Sequence, residues 1–330
     1  MVKRPPYASS MDLFIGNISA MAYWCKTPVG IDRSTTRTSL HYLKNPITTL
    51  KALKKAAIDA DSLGTAPLHI YATPSSLRRP SQQLICHLAT QPFPVSAFRR
   101  LTRHVLIASP ELSFLEMAAS LPLPKLIEYG YLLCGTYCLD PSTTSGNNRP
   151  PLTTVAKLKS FLEAAGTRRG CALARRALGL IQEGSASPRE TKTALLLCLP
   201  MKMGGYGLPR AQLNRTIEFT DRERLLFGRN ATVPDLYWPQ QKVALEYDGE
   251  KHHSESRALS RDRQKESNLA YQGITVLRLD KHQMSNAYQV YVVARKIARS
   301  LGRRLAEPTA NQWENHRRLF AIIMRTRTLP

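Results

Sequence analysis

Acidic residues are scarce in this sequence: 24 Asp and Glu stand against 47 Lys and Arg in 330 residues, a formal net charge of +23. That imbalance makes polyanions the natural partners, nucleic acid first and an anionic membrane surface second. Long apolar runs are also missing. No stretch approaches the roughly 18 apolar residues of a membrane span. The opening MVKRPPYASSMDLFIGNISAMAYWC carries early positive charge but neither a long apolar core nor a small-residue cleavage site, so no secretory signal is expected and a cytoplasmic location is. Cysteine is scattered at Cys25, Cys86, Cys134, Cys138, Cys171 and Cys198 with no CxxC pair, which argues against a secreted disulfide framework. Cys134 and Cys138 lie in an apolar, helix-like stretch and read as buried free thiols rather than a metal site.

What the chain does have is enough apolar content, 43%, for a sizeable core, and a length comfortable for two domains. Residues 1–140 read as a mixed α/β region. Pro67–Thr73 and His104–Ala108 are short buried strands, and Ser109-Pro110 is an N-cap followed by proline at the first helical position. A second helix covers PKLIEYGYLLCGTY. The turn-rich DPSTTSGNNRPP, Asp140–Pro151, marks a boundary. Residues 141–184 read as a linker and helical bridge, with one helix in TTVAKLKSFLEAAG and another running to Gly184. Residues 185–330 open on a capping box, Ser187 and Glu190 around Pro188. They continue through strands at Leu213–Phe219, Ala231–Trp238 and Lys242–Asp248, a helix ending at Gly273, a strand at Ile274–Leu279 and a basic helix. The fold class expected is α/β, mixed α+β, with a C-terminal α-β-β-β-α-β core.

The third of those strands raises a chemical question. Alternate residues share a face, so Val243, Leu245 and Tyr247 point one way while Lys242, Ala244, Glu246 and Asp248 point the other. Residues 213–248 are therefore expected to form three adjacent strands, with Glu246 and Asp248 facing away from the Val243/Leu245 core. Two carboxylates that close resist burial without a counter-charge. A solvated strand face with surface ion pairs is one answer. A divalent cation is another, with Asp235 on the neighbouring strand completing an oxygen set suited to Mg²⁺ or Mn²⁺. In a basic protein such a site fits phosphodiester hydrolysis.

The tract PDLYWPQQKVALEYDG, followed by HH and RDRQKESNLAYQGITVLRL, resembles the PD-(D/E)XK nuclease superfamily, and its Vsr-like endonuclease branch in particular. The likeness spans about residues 185–285, and the surrounding motifs are similar to the C-terminal domain of AbiEi-type antitoxin-like bacterial proteins. The resemblance implies a metal-dependent endonuclease acting on DNA, in a phage-defence or toxin–antitoxin setting, or else a non-cleaving nucleic-acid-binding regulator on the same fold. It implies that Asp235 of Pro234-Asp235 is a metal ligand. Glu246 takes the acidic position of the strand motif. Asp248 sits beside the metal together with the backbone carbonyl of Tyr247, His253 assists water activation, and Glu190 comes from the first helix. The superfamily's strand lysine is replaced here by Asp248, so Lys242 and Lys265 are the candidates to supply one. Lys251, Arg261, Arg263 and Lys265 are the expected nucleic-acid contacts, with Lys265 also able to face the metal cleft.

Overall fold

In the computed structural model the described residues are 11–26, 43, 45–55, 67–76, 81–139, 149–247 and 265–325. They fall into two compact units. Within the described residues the first runs to Leu133 and again from Cys138 to Ile181, and the second takes in Cys134–Tyr137 and everything from Gln182 onward. The protein is of the mixed α+β class.

The first unit is built on a five-stranded sheet. Its strands are β1 (Leu13–Ile15), β2 (Leu68–Ala72), β3 (Leu84–Leu88), β4 (Phe98–Thr102) and β5 (Val105–Ala108), in the order β3-β2-β1-β5-β4. β1 pairs parallel to β5 and antiparallel to β2. Every residue of β1, β2 and β5 is buried, His69 of β2 among them. Helices α1 (Asn17–Lys26), α2 (Leu50–Lys55), α3 (Pro110–Met117), α4 (Leu123–Cys134), α5 (Val155–Ala165) and α6 (Cys171–Leu178) complete the unit. α3 starts where the sequence signals it. The Ser109 hydroxyl accepts the Leu112 N–H at 3.2 Å and Pro110 occupies the first turn. α5 ends at Gly166, whereas α6 stops at Gly179, short of the Gly184 end read from sequence. The six cysteines are free, and Cys134 and Cys138 are buried.

Inside this unit Glu116 on α3 is held by two donors, the Tyr71 hydroxyl on Oε1 and the Asn17 N–H on Oε2 at 2.9 Å. Burial pushes its carboxyl up to about 8, against a smaller downward pull from the Asn17 N–H. The folded state thus holds a proton that the unfolded chain releases near pH 4.5. The stability this confers is fully present below that pH and is lost as pH rises through about 8. Glu116→Gln, which cannot titrate, is expected to match the parent near pH 4, to exceed it by a margin that widens toward pH 8, and to keep that margin above. Urea midpoints across that range measure the gap, and a constant gap would refute the reading.

The second unit carries the predicted α-β-β-β-α-β order. α7 (Pro188–Cys198) is followed by β6 (Gln212–Leu213), β9 (Leu236–Trp238) and β10 (Val243–Tyr247), then a helix over 265–271, α9, and β11 (Thr275–Leu279). The sheet order is β11-β10-β9-β6, with β10 parallel to β11 and antiparallel to β9. Two strands read from sequence as continuous are broken. Leu213–Phe219 divides at Asn214, whose φ of 48° leaves the extended region. Ala231–Trp238 divides ahead of β9 at Val233-Pro234, where proline has no N–H for the ladder. The outer fragments, β7 (Ile217–Glu218) and β8 (Ala231–Thr232), pair with each other in a separate small sheet. Between them lies α8 (Asp221–Phe227), inside the 213–248 stretch read as strands alone. Its start is a capping box formed by Thr220 and Glu223. The unit closes with α10 (Ala287–Ser300), which packs on α7 and β11, and α11 (Ala310–Phe320).

Candidate active site

Register fixes which side chains share a face, because residues paired across a ladder point the same way. Trp238, Val243 and Thr275 align on one side of the sheet, and Leu236, Leu245 and Leu277 fall on that same side. Tyr237, Ala244 and Val276 align on the other, where Ala244 packs with Leu269 of α9 and Ile274. Glu246 pairs with Arg278 and belongs to this second face. The face is therefore not open to solvent, as its separation from the Val243/Leu245 core had suggested. α9 packs on it, and the Glu246 side chain keeps only 16% of its exposure.

One more step of the β9–β10 ladder sets Asp235 opposite Glu246. There the Asp235 carboxylate replaces a backbone acceptor: Oδ2 takes the Tyr247 N–H at 2.8 Å. Its carbonyl accepts the Asn214 N–H at 3.1 Å, so the residue is pinned at both ends. Glu246 is tied through Oε2 to Lys265 Nζ of α9 at 2.7 Å. Its Oε1 is buried with no hydrogen-bond partner among the described residues. Burial, and then the charge of Asp235, push the Glu246 carboxyl up to about 7, opposed by Lys265 and by Arg278.

Glu190 joins from the first turn of α7. Ser187 caps that helix by accepting the Glu190 N–H at 3.2 Å. The Glu190 carboxylate reaches one residue ahead of the cap, where Oε2 accepts the Ala186 N–H at 2.8 Å and Asn214 Nδ2–H at 2.5 Å. Burial raises its carboxyl above the ordinary range and Asp235 adds to the rise, while the bonds from Ala186 and Asn214 hold it back. Asp235 thus stands within electrostatic reach of both Glu190 and Glu246, and Lys265 within reach of Glu246. Comparison of the chain with protein-family models, with curated proteins and with solved structures finds no match.

Of the lysines considered for the missing strand position, Lys265 is brought to Glu246 and Lys242 is not. Lys242 precedes β10, where its φ of 52° takes it out of the extended run, in contrast to the face assigned to it from the sequence. Tyr247 ends β10 with its N–H on Asp235. Asp248, Lys251, His253, Arg261 and Arg263 lie outside the described residues. Among the described residues no three His, Cys, Asp or Glu side chains form a metal-holding group, and no helix is long and apolar enough to cross a membrane.

Three further residues adjoin the site. Asn214 bridges Glu190 and the Gly184 carbonyl, the latter at 2.9 Å. Arg278 shares the Glu246 face and bonds Glu266 at 2.7 Å. The Arg189 guanidinium stands 5.3 Å from the Tyr247 ring centroid. Arg278 could have been found by carrying the strand alternation into β11. Nothing local to Asn214 announces its role.

Proposed function

We propose that the second unit is an endonuclease that hydrolyses phosphodiester bonds in DNA with Mg²⁺ or Mn²⁺, in the cytoplasm. The observation that carries this reading is the convergence of Glu190, Asp235, Glu246 and Lys265 from separate segments at one end of the sheet. Among the described residues the acids do not make up a group of three that would hold a metal by itself, so two carboxylates would share the cation with waters and substrate. Mg²⁺ is held by one or two carboxylates together with waters and substrate phosphates. Glu246 Oε1 is a buried oxygen in need of a partner, and the charge of Asp235 makes Glu246 costlier to ionise. Asp235 and Glu246 would hold the ion, with Asp248 and the Tyr247 carbonyl beside them. Once bound, the cation supplies Lewis-acid polarisation of the scissile phosphate.

The chain's own residues supply the rest. Lys265 favours the ionised form of Glu246 and sets a positive charge beside the anionic substrate. Tyr247, Asn214 and Ala186 donate backbone or amide hydrogens that fix Asp235 and Glu190 in place. Under this reading His253 accepts the proton of the attacking water, a role that typically contributes about 10²- to 10⁴-fold in rate. A non-cleaving nucleic-acid-binding regulator is the second reading. It is favoured by Asp248 standing where the superfamily has lysine. Lys265 on Glu246 is the counterweight.

The pH dependence tests the site without requiring turnover. A carboxylate must be charged to hold a cation, and Glu246 ionises near 7. Calorimetric titration of Mn²⁺ into the full chain is expected to show affinity rising between pH 6 and pH 8 and levelling above. Affinity that is flat across that interval, or no binding at pH 8, would count against these carboxylates as the ligands.

A further inference from the structure

Outside the acidic site the second unit presents one helix whose exposed face is unlike its buried one. On α10 Val290, Val293, Ala294 and Ile297 are buried, while Tyr288, Val292, Arg295, Lys296 and Arg299 are exposed. Positions 288, 292, 295, 296 and 299 recur at helical spacing, so they form a single stripe. Its amino-terminal end is aromatic. Tyr288, 61% exposed, stacks on Trp313 of α11 with ring centroids 6.1 Å apart and planes 25° apart. The far end is cationic and continues past the helix. Gly302, at φ 68°, reverses the chain so that the Arg303 N–H returns to the Ala298 carbonyl at 2.8 Å, and exposed Arg303 and Arg304 follow. On α11, Glu314 is paired with Arg317 at 3.3 Å.

We infer that this stripe binds single-stranded nucleic acid, with the sugar-phosphate backbone along Arg295, Lys296, Arg299 and Arg303 and a base stacked on the open face of Tyr288. Cations near a helix C-terminus also complement its dipole. That explains their sign but not a large aromatic ring left in water beside a second ring. An aromatic platform at the head of a basic track is how unpaired bases are held, and paired bases in a duplex offer no such face. A lipid surface fits less well. A helix lying on a membrane needs a broad apolar face free to enter it, and that of α10 is spent on the protein core. The inference rests on the nuclease reading only in naming a place for an unpaired stretch of its substrate.

The test needs no cleavage. Trp24 and Trp238 are buried at 0% and 1% exposure, which leaves half-buried Trp313 as the tryptophan able to report contact. The full chain is titrated with a short oligothymidylate in EDTA while tryptophan emission is followed. The expected result is a saturable change in emission. Tyr288→Ala should weaken the affinity roughly 5- to 100-fold at fixed salt, with Tyr288→Phe restoring it. Replacing Arg295, Lys296 and Arg299 together by Gln should reduce the slope of log affinity against log salt by about 2, at about 0.7 per phosphate contact. The EDTA strips any cation from the acidic site, which keeps this outcome independent of cleavage there. No change in emission, equal binding by Tyr288→Ala and parent, a duplex of the same length bound as tightly, or anionic phosphatidylserine vesicles displacing the oligonucleotide would each overturn the inference.

Discussion

Asp235→Asn is expected to abolish cleavage and cation binding while leaving the fold intact. The choice of asparagine matters. Asp235 accepts the Tyr247 N–H, so alanine would orphan a partly buried donor, at about 1–3 kcal/mol, and confuse a lost ligand with a loosened strand. Asparagine keeps an acceptor oxygen and removes the charge. Cleavage should fall by more than about 100-fold, which is the upper end of what losing even an outer-shell partner costs a metal site. Stability should stay within about half a kcal/mol of the parent or rise, as for substitutions that disturb no packing. A second signature follows from the electrostatics. Asp235 raises the carboxyls of both Glu190 and Glu246, so its neutralisation should lower the pH at which those two ionise. Carbon-13 titration of the glutamate carboxyls in parent and variant would show the shift. An unshifted Glu246 would mean that the two acids do not share a site.

Lys265→Met is expected to act on the same carboxylate from the opposite side. Lys265 is the stronger of the two cations, with Arg278, that oppose burial and Asp235 at Glu246, and without it the Glu246 carboxyl should titrate above about 7. Activity should fall sharply at pH 7 and recover in part as pH is raised toward 9, because a group whose pKa moves up is charged only at higher pH. The effect on folding should be smaller than the roughly 3–5 kcal/mol of breaking a fully buried pair. Lys265 retains 26% of its side-chain exposure, and Glu246 can escape an unpaired charge by taking up a proton. A lysine that served only to contact phosphate would behave differently. Its loss would weaken substrate binding at every pH, without displacing the pH–rate profile. The profile therefore separates the two roles.

Much of the site's framework was readable in the sequence because its signals are local. Ser187 with Pro188 sets the start of α7, the alternation through Val243–Tyr247 assigns Glu246 to the face opposite Leu245, and Gly273 ends α9. What escaped depends on contacts between distant segments. Glu190 reads as half of a capping box, yet its carboxylate bonds Ala186 and Asn214, a residue 24 positions away. The strand at Leu213–Phe219 has an unbroken β-type pattern, but Asn214 turns out of it to serve Glu190 and Asp235, and the remainder is carried off to pair with β8. α8 was missed although Thr220 and Glu223 signal its start, because the flanking β-type segments outweighed a helix of seven residues. Lys265 was one of two candidates, and only the packing of α9 over Ala244 chooses between them.

The most direct measurement is cleavage of supercoiled plasmid DNA by the purified full chain at pH 8, with Mg²⁺ or Mn²⁺, with EDTA, and with Asp235→Asn alongside. Nicked or linear product that requires the cation, disappears with EDTA and is absent with Asp235→Asn is the expected result. Plasmid that is bound but remains intact with either cation would contradict the nuclease reading and leave the non-cleaving regulator in its place.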